Sequence, residues 1–286
     1  MSSMSNINTP AEIAQAVVNA CKIKVKLSWR PMFILGILAG AYIAFGAELA
    51  TLISTGVADK VGLGFAKFLA GSVFSVGLML VVIGGAELFT GNNLIFTGFI
   101  MGEVGWVEMM RNWIIVYFGN LAGSLLMVYI MTHSGLVDGA VGVTALKIAS
   151  AKVSLPWDQA FFRGIGCNWL VCLAVWLAFG AKDVVGKIFA VYFPIMAFVA
   201  SGFEHCVANM YFIPMGIALK ANAAVVAASE IAPEQLANLT WRGFAINNLV
   251  PVTLGNILGG AVFVGAVYAL AYLKGKPVCK LEPASK

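Results

Sequence analysis

Two apolar runs, each too long to cross a membrane straight and each holding one carboxylate near its middle, constrain this chain more than any other feature. Ile188 to Leu219 is bounded by Lys187 and Lys220 and contains no charged residue but Glu204. As continuous helix its thirty-two residues would reach about 48 Å, against a hydrocarbon core about 30 Å thick. Such a run must tilt steeply or break. Gly202-Phe203-Glu204-His205-Cys206-Val207-Ala208-Asn209 at its centre favours a break, because ionisable groups at membrane depth are costly and usually face a protein-lined pathway. Phe68 to Met101 is the second run, thirty-four residues with Glu87 as the only carboxylate, centred on Gly85-Ala86-Glu87-Leu88-Phe89-Thr90-Gly91-Asn92.

Aligned on glutamate, the centres share Gly-x-Glu and an asparagine five residues later: Gly85, Glu87, Asn92 against Gly202, Glu204, Asn209. The apolar segment after each run carries Gly-Asn-x-x-Gly, at Gly119 to Gly123 and Gly255 to Gly259. Paired, broken apolar segments in two corresponding halves point to a transport site at the bilayer midplane. Three spans per half is an odd number, so the second half must sit upside down relative to the first. The expected fold is an all-α polytopic membrane protein of six transmembrane helices in two inverted three-helix repeats, with the second and fifth helices broken.

Composition agrees: hydrophobic residues are 60% and charged residues 11% of the 286, with mean hydropathy +0.91. The net charge of +5 does not imply nucleic acid, since the eighteen Lys and Arg are scattered and many flank spans. Five cysteines show no metal spacing and there are two histidines, so neither a metal nor a cofactor is expected. A membrane enzyme or electron-transfer subunit would need paired histidines or a cysteine or carboxylate cluster, and the chain has none.

In order, Thr9-Pro10-Ala11-Glu12 reads as a capped helix start, and the helix that follows, ending among Lys22, Lys24, Lys26 and Arg30, reads as interfacial. Spans are expected at about Pro31–Ala58, from Phe68, Trp113–Met131, Gly164–Ala181, from Ile188, and Gly243–Leu273. Leu136 to Pro156 reads as a connection, and Ala221 to Leu239 as a loop with room for a short surface helix. The whole chain, 1–286, is expected to form one membrane domain: 1–30 interfacial, 31–273 the core, 274–286 a tail. Cytoplasmic termini put eleven Lys and Arg inside against seven outside, which sets the expected orientation. Trp29, Trp106, Trp157 and Trp241 fall near span ends as interface anchors, and Gly36/Gly40, Gly119/Gly123 and Gly255/Gly259 suit close helix packing within one bundle. Asn120 and Asn256 suit hydrogen bonds between helices.

The two centres, with Asn168-Trp169-Leu170-Val171-Cys172-Leu173-Ala174-Val175-Trp176 and Asn112 to Gly123, resemble the formate/nitrite transporter family over about residues 10 to 275. The resemblance implies an aquaporin-like protomer in the cell membrane, a homopentamer with one pore per protomer, and a small monovalent anion such as formate, nitrite or hydrosulfide as substrate. It also implies residue roles. Phe74, Leu78 and Phe198 look like an apolar narrowing. Leu88, Phe89 and Thr90 look like the loop interrupting the second span, forming a cytoplasmic slit with Asn168 and Val171. His205 looks like the central histidine with Asn209 beside it, and Lys152 like a lysine that draws anions toward the pore.

His205 is the one midplane side chain able to donate, accept or carry a proton near neutral pH. It is read as lowering the dehydration cost of the anion with Thr90 and Asn209; the alternative is a histidine that braces the break. Glu87 and Glu204 are read as braces that accept from backbone N–H groups freed by the breaks, with proton relay as the alternative. Lys152 would otherwise pass as a solvated loop residue. A neutral-solute channel is the close rival function, and a purely structural scaffold fails on the mid-span ionisable residues.

Overall fold

In the computed structural model, which describes residues 7–273, Thr9 caps α1 (Pro10–Lys26) as its residue types dictate. The Glu12 N–H donates to Thr9 Oγ1 at 3.4 Å, and the Thr9 N–H donates back to Glu12 Oε2 at 2.7 Å. That reciprocal bond from the Thr9 N–H holds the Glu12 carboxyl below its usual range. A lowered folded value means the cap contributes above the ordinary carboxylate range and is lost as pH falls through the lowered one. Amide protection at Thr9 and Glu12, measured against the intrinsic exchange rate, should therefore fall in acid, and Glu12→Gln should remove that pH dependence.

α2 (Trp29–Ser54) is the first span, followed by a short α3 (Ala58–Val61) and α4 (Leu63–Gly84). An extended stretch then leads to two short helices, α5 (Phe89–Asn92) and α6 (Ile95–Ile100), before α7 (Trp106–His133). The second half runs α8 (Gly139–Val153), α9 (Trp157–Gly180), α10 (Val184–Ser201), α11 (Cys206–Leu219), α12 (Ala223–Ser229), α13 (Pro233–Asn238) and α14 (Gly243–Tyr272). Six of these are long and apolar enough to cross a membrane, and α12 folds back from α11 at 108°. Within α14, Gly243–Leu249 and Leu258–Ala266 are wound in wider π-helical turns. Trp29, Trp106 and Trp157 open their spans and Trp241 stands just before α14, all 49–57% exposed where an interface anchor belongs.

Glycine sets two close helix crossings. At the α2–α7 crossing a Cβ on Gly40 would stand 2.0 Å from the Asn120 carbonyl oxygen, and one on Gly123 would stand 1.9 Å from that of Ile37. At the α9–α14 crossing, Gly255 and Gly259 repeat this against Phe161 and Ile165, at 2.2 and 2.3 Å. Both crossings lie within one protomer.

Leu136 to Pro156, expected as a connection, is mostly the helix α8, which packs on α11 and α12. Its Gly/Ala-rich composition hides a buried face of Ala145, Leu146, Ala149 and Val153. The loop after α11 holds two short helices where one was allowed for. The expected tail 274–286 and residues 1–6 lie outside the described residues.

Candidate functional site

Both long apolar runs break in the same way. Gly85 caps α4 and Gly202 caps α10, each in left-handed conformation (φ 83° and 77°), the geometry a glycine cap supplies. The next N–H turns back: Ala86 to the Val81 carbonyl at 2.9 Å, Phe203 to the Phe198 carbonyl at 3.1 Å. Three residues later helix resumes, with Leu88 and His205 as the extended N-cap residues.

The freed backbone is held by asparagine. Asn120 Oδ1 accepts from the Phe89 N–H (2.9 Å), while its Nδ2 donates to the carbonyls of Gly36 (2.8 Å) and Glu87 (2.9 Å). Asn256 repeats this with the Cys206 N–H (2.9 Å) and the carbonyls of Gly164 (2.7 Å) and Glu204 (3.0 Å). The N–H groups of Glu87 and Glu204 donate to the carbonyls of Leu35 and Arg163. These asparagines therefore take the bonds that the sequence reading assigned to the two carboxylates.

The carboxylates instead take side-chain partners. Glu87 pairs with Lys24 Nζ at 2.5 Å and accepts from Asn92 Nδ2 at 2.7 Å, and the same Nδ2 reaches Asn112 Oδ1 at 2.9 Å. Glu204 pairs with Lys152 Nζ at 2.8 Å and accepts from Asn209 Nδ2 at 2.7 Å, which reaches Asn248 Oδ1 at 2.6 Å. Both carboxylates are buried, and a buried charge is tolerable only with partners of this kind. Because each asparagine spends its NH₂ on a carboxylate and a second amide, its Oδ1 is the end left over. Asn209 Oδ1 is buried and has no hydrogen-bond partner among the described residues.

His205 lies between the halves. The Ala208 N–H donates to its Nδ1 at 3.0 Å, and a backbone N–H can only donate. The neutral ring therefore carries its proton on Nε2, which donates to Thr90 Oγ1 at 3.0 Å. Thr90 keeps its own hydroxyl proton. The Phe198 ring stacks on the imidazole, with centroids 5.8 Å apart, and meets Phe74 edge-on at 5.6 Å.

Two cavities approach this centre. One, of about 390 Å³ on the α8 side, is lined by Lys67, Phe74, Lys152, Arg163, Phe198 and Gly202, with Glu204, His205 and Asn209. The other, of about 270 Å³ on the α1 side, is lined by Lys24, Leu78, Gly85, Glu87, Leu88, Asn92 and Lys187. Phe74 and Leu78 stand one turn apart on α4, about 6 Å along its axis, and face different cavities. Leu88 is an N-cap, while Phe89 and Thr90 already belong to α5. Phe89 points away, against Tyr117 (4.9 Å) and Trp113 (6.1 Å). Asn168 and Val171 are fully buried and line neither cavity. Asn168 Nδ2 lies within bonding distance of the carbonyls of Thr90 (3.2 Å) and Asn256 (2.7 Å) and of Asn93 Oδ1 (2.8 Å), tying α9 to both halves.

Residues 11–270 match the profile of the formate/nitrite transporter family. The chain belongs to that family. It is 44% identical to a probable formate transporter of Methanothermobacter thermautotrophicus, over 94% of this chain and 99% of that one. It is 39% identical to the formate channel FocA of Escherichia coli (strain K12), over 93% and 94%. Among solved structures it is similar to a pentameric formate channel with formate bound, at 43% identity and a TM-score of 0.76, covering 86% of this chain and 98% of that. An ion channel of the same family matches at 30% identity with a TM-score of 0.76, over 91% and 98%. The protein is thus a multi-pass membrane transporter of aquaporin-like fold.

In this formate/nitrite transporter family member, sequence reasoning had missed Lys24, Asn112 and Asn248, the partners that make the two carboxylate cages equivalent. The signal was present. Lys24 and Lys152 each stand twelve residues before the glycine whose carbonyl binds the asparagine, Gly36 and Gly164. Asn112 and Asn248 each stand eight residues before that asparagine. The repeat therefore extends outward to include α1 and α8.

Proposed function

We propose that this chain conducts a small monovalent anion, formate first, across the cell membrane, as a homopentamer with one pore per protomer and both termini cytoplasmic. The observation that carries this reading is the apolar barrier between two cavities lined by excess positive charge. Lys67, Lys152 and Arg163 stand against Glu204 on one side, and Lys24 and Lys187 against Glu87 on the other. Lysine and arginine gather anions in a cavity with low-dielectric walls. Phe74, Leu78, Leu88 and Phe198 hinder hydrated ions by excluding water. An anion sheds its hydration there and needs a donor or a proton.

The hydrogen bonds support a choice between them. Neutral His205 has no spare donor, because Nδ1 is occupied by a backbone N–H and the Nε2 proton is given to Thr90. The Thr90 hydroxyl proton is the donor left for the solute. Asn209 Oδ1, unpartnered beside the α8-side cavity, is an acceptor and suits a solute that carries a proton. Together these favour movement of the anion with a proton. The Lys–Glu–Asn cages and the Gly85 and Gly202 caps hold the breaks in shape, Asn168 and Val171 support the barrier from behind, and no cofactor or metal enters the reading.

The test is flux of formate, nitrite and hydrosulfide into liposomes holding the purified protein, with internal pH recorded. Formate entry should acidify the interior. Thr90→Val should lower flux about tenfold, the worth of one charge-assisted bond, and His205→Ala should change its pH dependence while assembly stays intact. Unchanged flux at every pH in both variants would remove the pair from the mechanism. Equal flux of all three anions would mean selection by size and charge alone, and no anion flux would favour a neutral-solute channel.

A further inference from the structure

The pathway uses two of the carboxylates at membrane depth and leaves a third. Glu48 lies on α2 six residues before its end at Ser54, about 9 Å inside the span. It accepts a hydrogen bond from the Tyr211 hydroxyl on α11. Unlike Glu87 and Glu204, it pairs with no lysine, arginine or histidine among the described residues. The elements packed on α2 are α4, α7, α8 and α11. Their charged or titratable groups are Lys67 on α4, Glu108, Arg111, Tyr117, Tyr129 and His133 on α7, Lys147 and Lys152 on α8, and Cys206 and Tyr211 on α11; Tyr211 alone bonds to it.

Two further observations locate the group. Ile34, Leu38, Phe45 and Leu52 of α2 are exposed large apolar residues, and Glu48 falls between the last two on the same stripe. Glu48 is itself half-buried, at the edge of an apolar outer face and bonded to Tyr211, where an unpaired charge is disfavoured and a proton is the simplest neutralising partner. Tyr211 itself is 1% exposed and stands two residues after Asn209, on the helix whose N-cap is His205.

We propose that Glu48 is a proton-binding site, a neutral carboxylic acid open to hydrophobic carboxyl reagents, which through Tyr211 positions the helix carrying His205 and Asn209. The positioning role rests on the pathway proposed above; the protonation does not. A carbodiimide reports the neutral form directly. The acid O–H adds across one C=N bond: oxygen bonds to the central carbon and the proton moves to nitrogen. The O-acylisourea then rearranges to a stable N-acylurea with no leaving group. An ionised, lysine-paired carboxylate has no proton to supply.

The intact assembly in phosphatidylcholine vesicles is treated with dicyclohexylcarbodiimide at neutral pH and digested for mass spectrometry. The adduct should appear on the Glu48 peptide at about tenfold the yield on peptides holding Glu87 or Glu204, decline as pH rises, and vanish in Glu48→Gln. No adduct at Glu48, or equal yields at all three sites, overturns the proton site whatever the protein transports. For positioning, Glu48→Gln keeps the acceptor for Tyr211, so its flux and pH profile should match the parent. Tyr211→Phe and Glu48→Leu remove the tie and should lower flux about fivefold with a shifted pH profile, the effect of losing one buried hydrogen bond. Flux and profile equal to the parent in assembled Tyr211→Phe overturns the positioning role, while labelling still reads the proton site.

Discussion

Lys152→Met is expected to cost the folded protein about 3–5 kcal/mol, the penalty for leaving one member of a buried ion pair alone. The Lys152 and Glu204 side chains are only 15% and 6% exposed, so water screens little of the 2.8 Å contact. Methionine preserves most of the apolar stem and removes the ammonium, which also stands over the Phe212 ring with Nζ 5.3 Å from its centroid, and so isolates the charge. Glu204 would keep its amide donors but lose its countercharge at membrane depth. The measurement is the thermal midpoint of the purified assembly beside formate flux in liposomes. Adding Glu204→Gln should return much of the stability, because the amide still accepts from Asn209, but not the flux, because the α8-side cavity loses a cation. Lys24→Met should cost less, since the Lys24 side chain is 30% exposed. A Lys152→Met protein as stable as its parent would sink the claim that the pair is effectively buried.

Gly123→Ala is expected to prevent assembly, and Gly40→Ala with it. The added Cβ would meet backbone carbonyl oxygens at 1.9 and 2.0 Å, and no rotamer change relieves a clash with backbone. α2 and α7 would have to separate. That would pull Asn120 from the Gly36 and Glu87 carbonyls and the Phe89 N–H, undoing the first break as well as the crossing. Overpacking ordinarily costs about 1–3 kcal/mol, and a backbone clash coupled to three buried hydrogen bonds should exceed that range. Gly64→Ala is the control, at a position with nothing within 4 Å of the new methyl group. Size-exclusion profiles of the solubilised variants distinguish them. A monodisperse, transporting Gly123→Ala protein would mean the crossing is far more compliant than its geometry.

Much of this was legible beforehand because a bilayer leaves so few options. Backbone polar groups in hydrocarbon must be satisfied internally, so a long apolar run reads as helix, and one too long with a carboxylate beside a glycine reads as a break. Gly85 and Gly202 fall where those rules put them, and Asn120 and Asn256 bond between helices as their positions suggested. α8 was not legible, because its Gly/Ala-rich sequence shows no strong apolar pattern until α11 and α12 cover one side. The work assigned to Glu87 and Glu204 was misjudged for a related reason. Both asparagines and carboxylates can satisfy a freed N–H, and chemistry alone does not choose between them.

By itself, then, the sequence determined the solvent, the six apolar spans, the inverted repeat and the two break points, since each follows from local apolarity, glycine and the cost of buried charge. Tertiary structure alone decided the pairings: Lys24 with Glu87, Lys152 with Glu204, Thr90 with His205, and Tyr211 with Glu48. The partners stand 63, 52, 115 and 163 residues apart in the chain. Hydrogen bonds act over about 3 Å, so which polar groups meet depends on how closely the glycine-lined helices approach. That same packing set the His205 tautomer, left Asn209 Oδ1 unpartnered beside the α8-side cavity, and left Glu48 without a countercharge, all among the described residues.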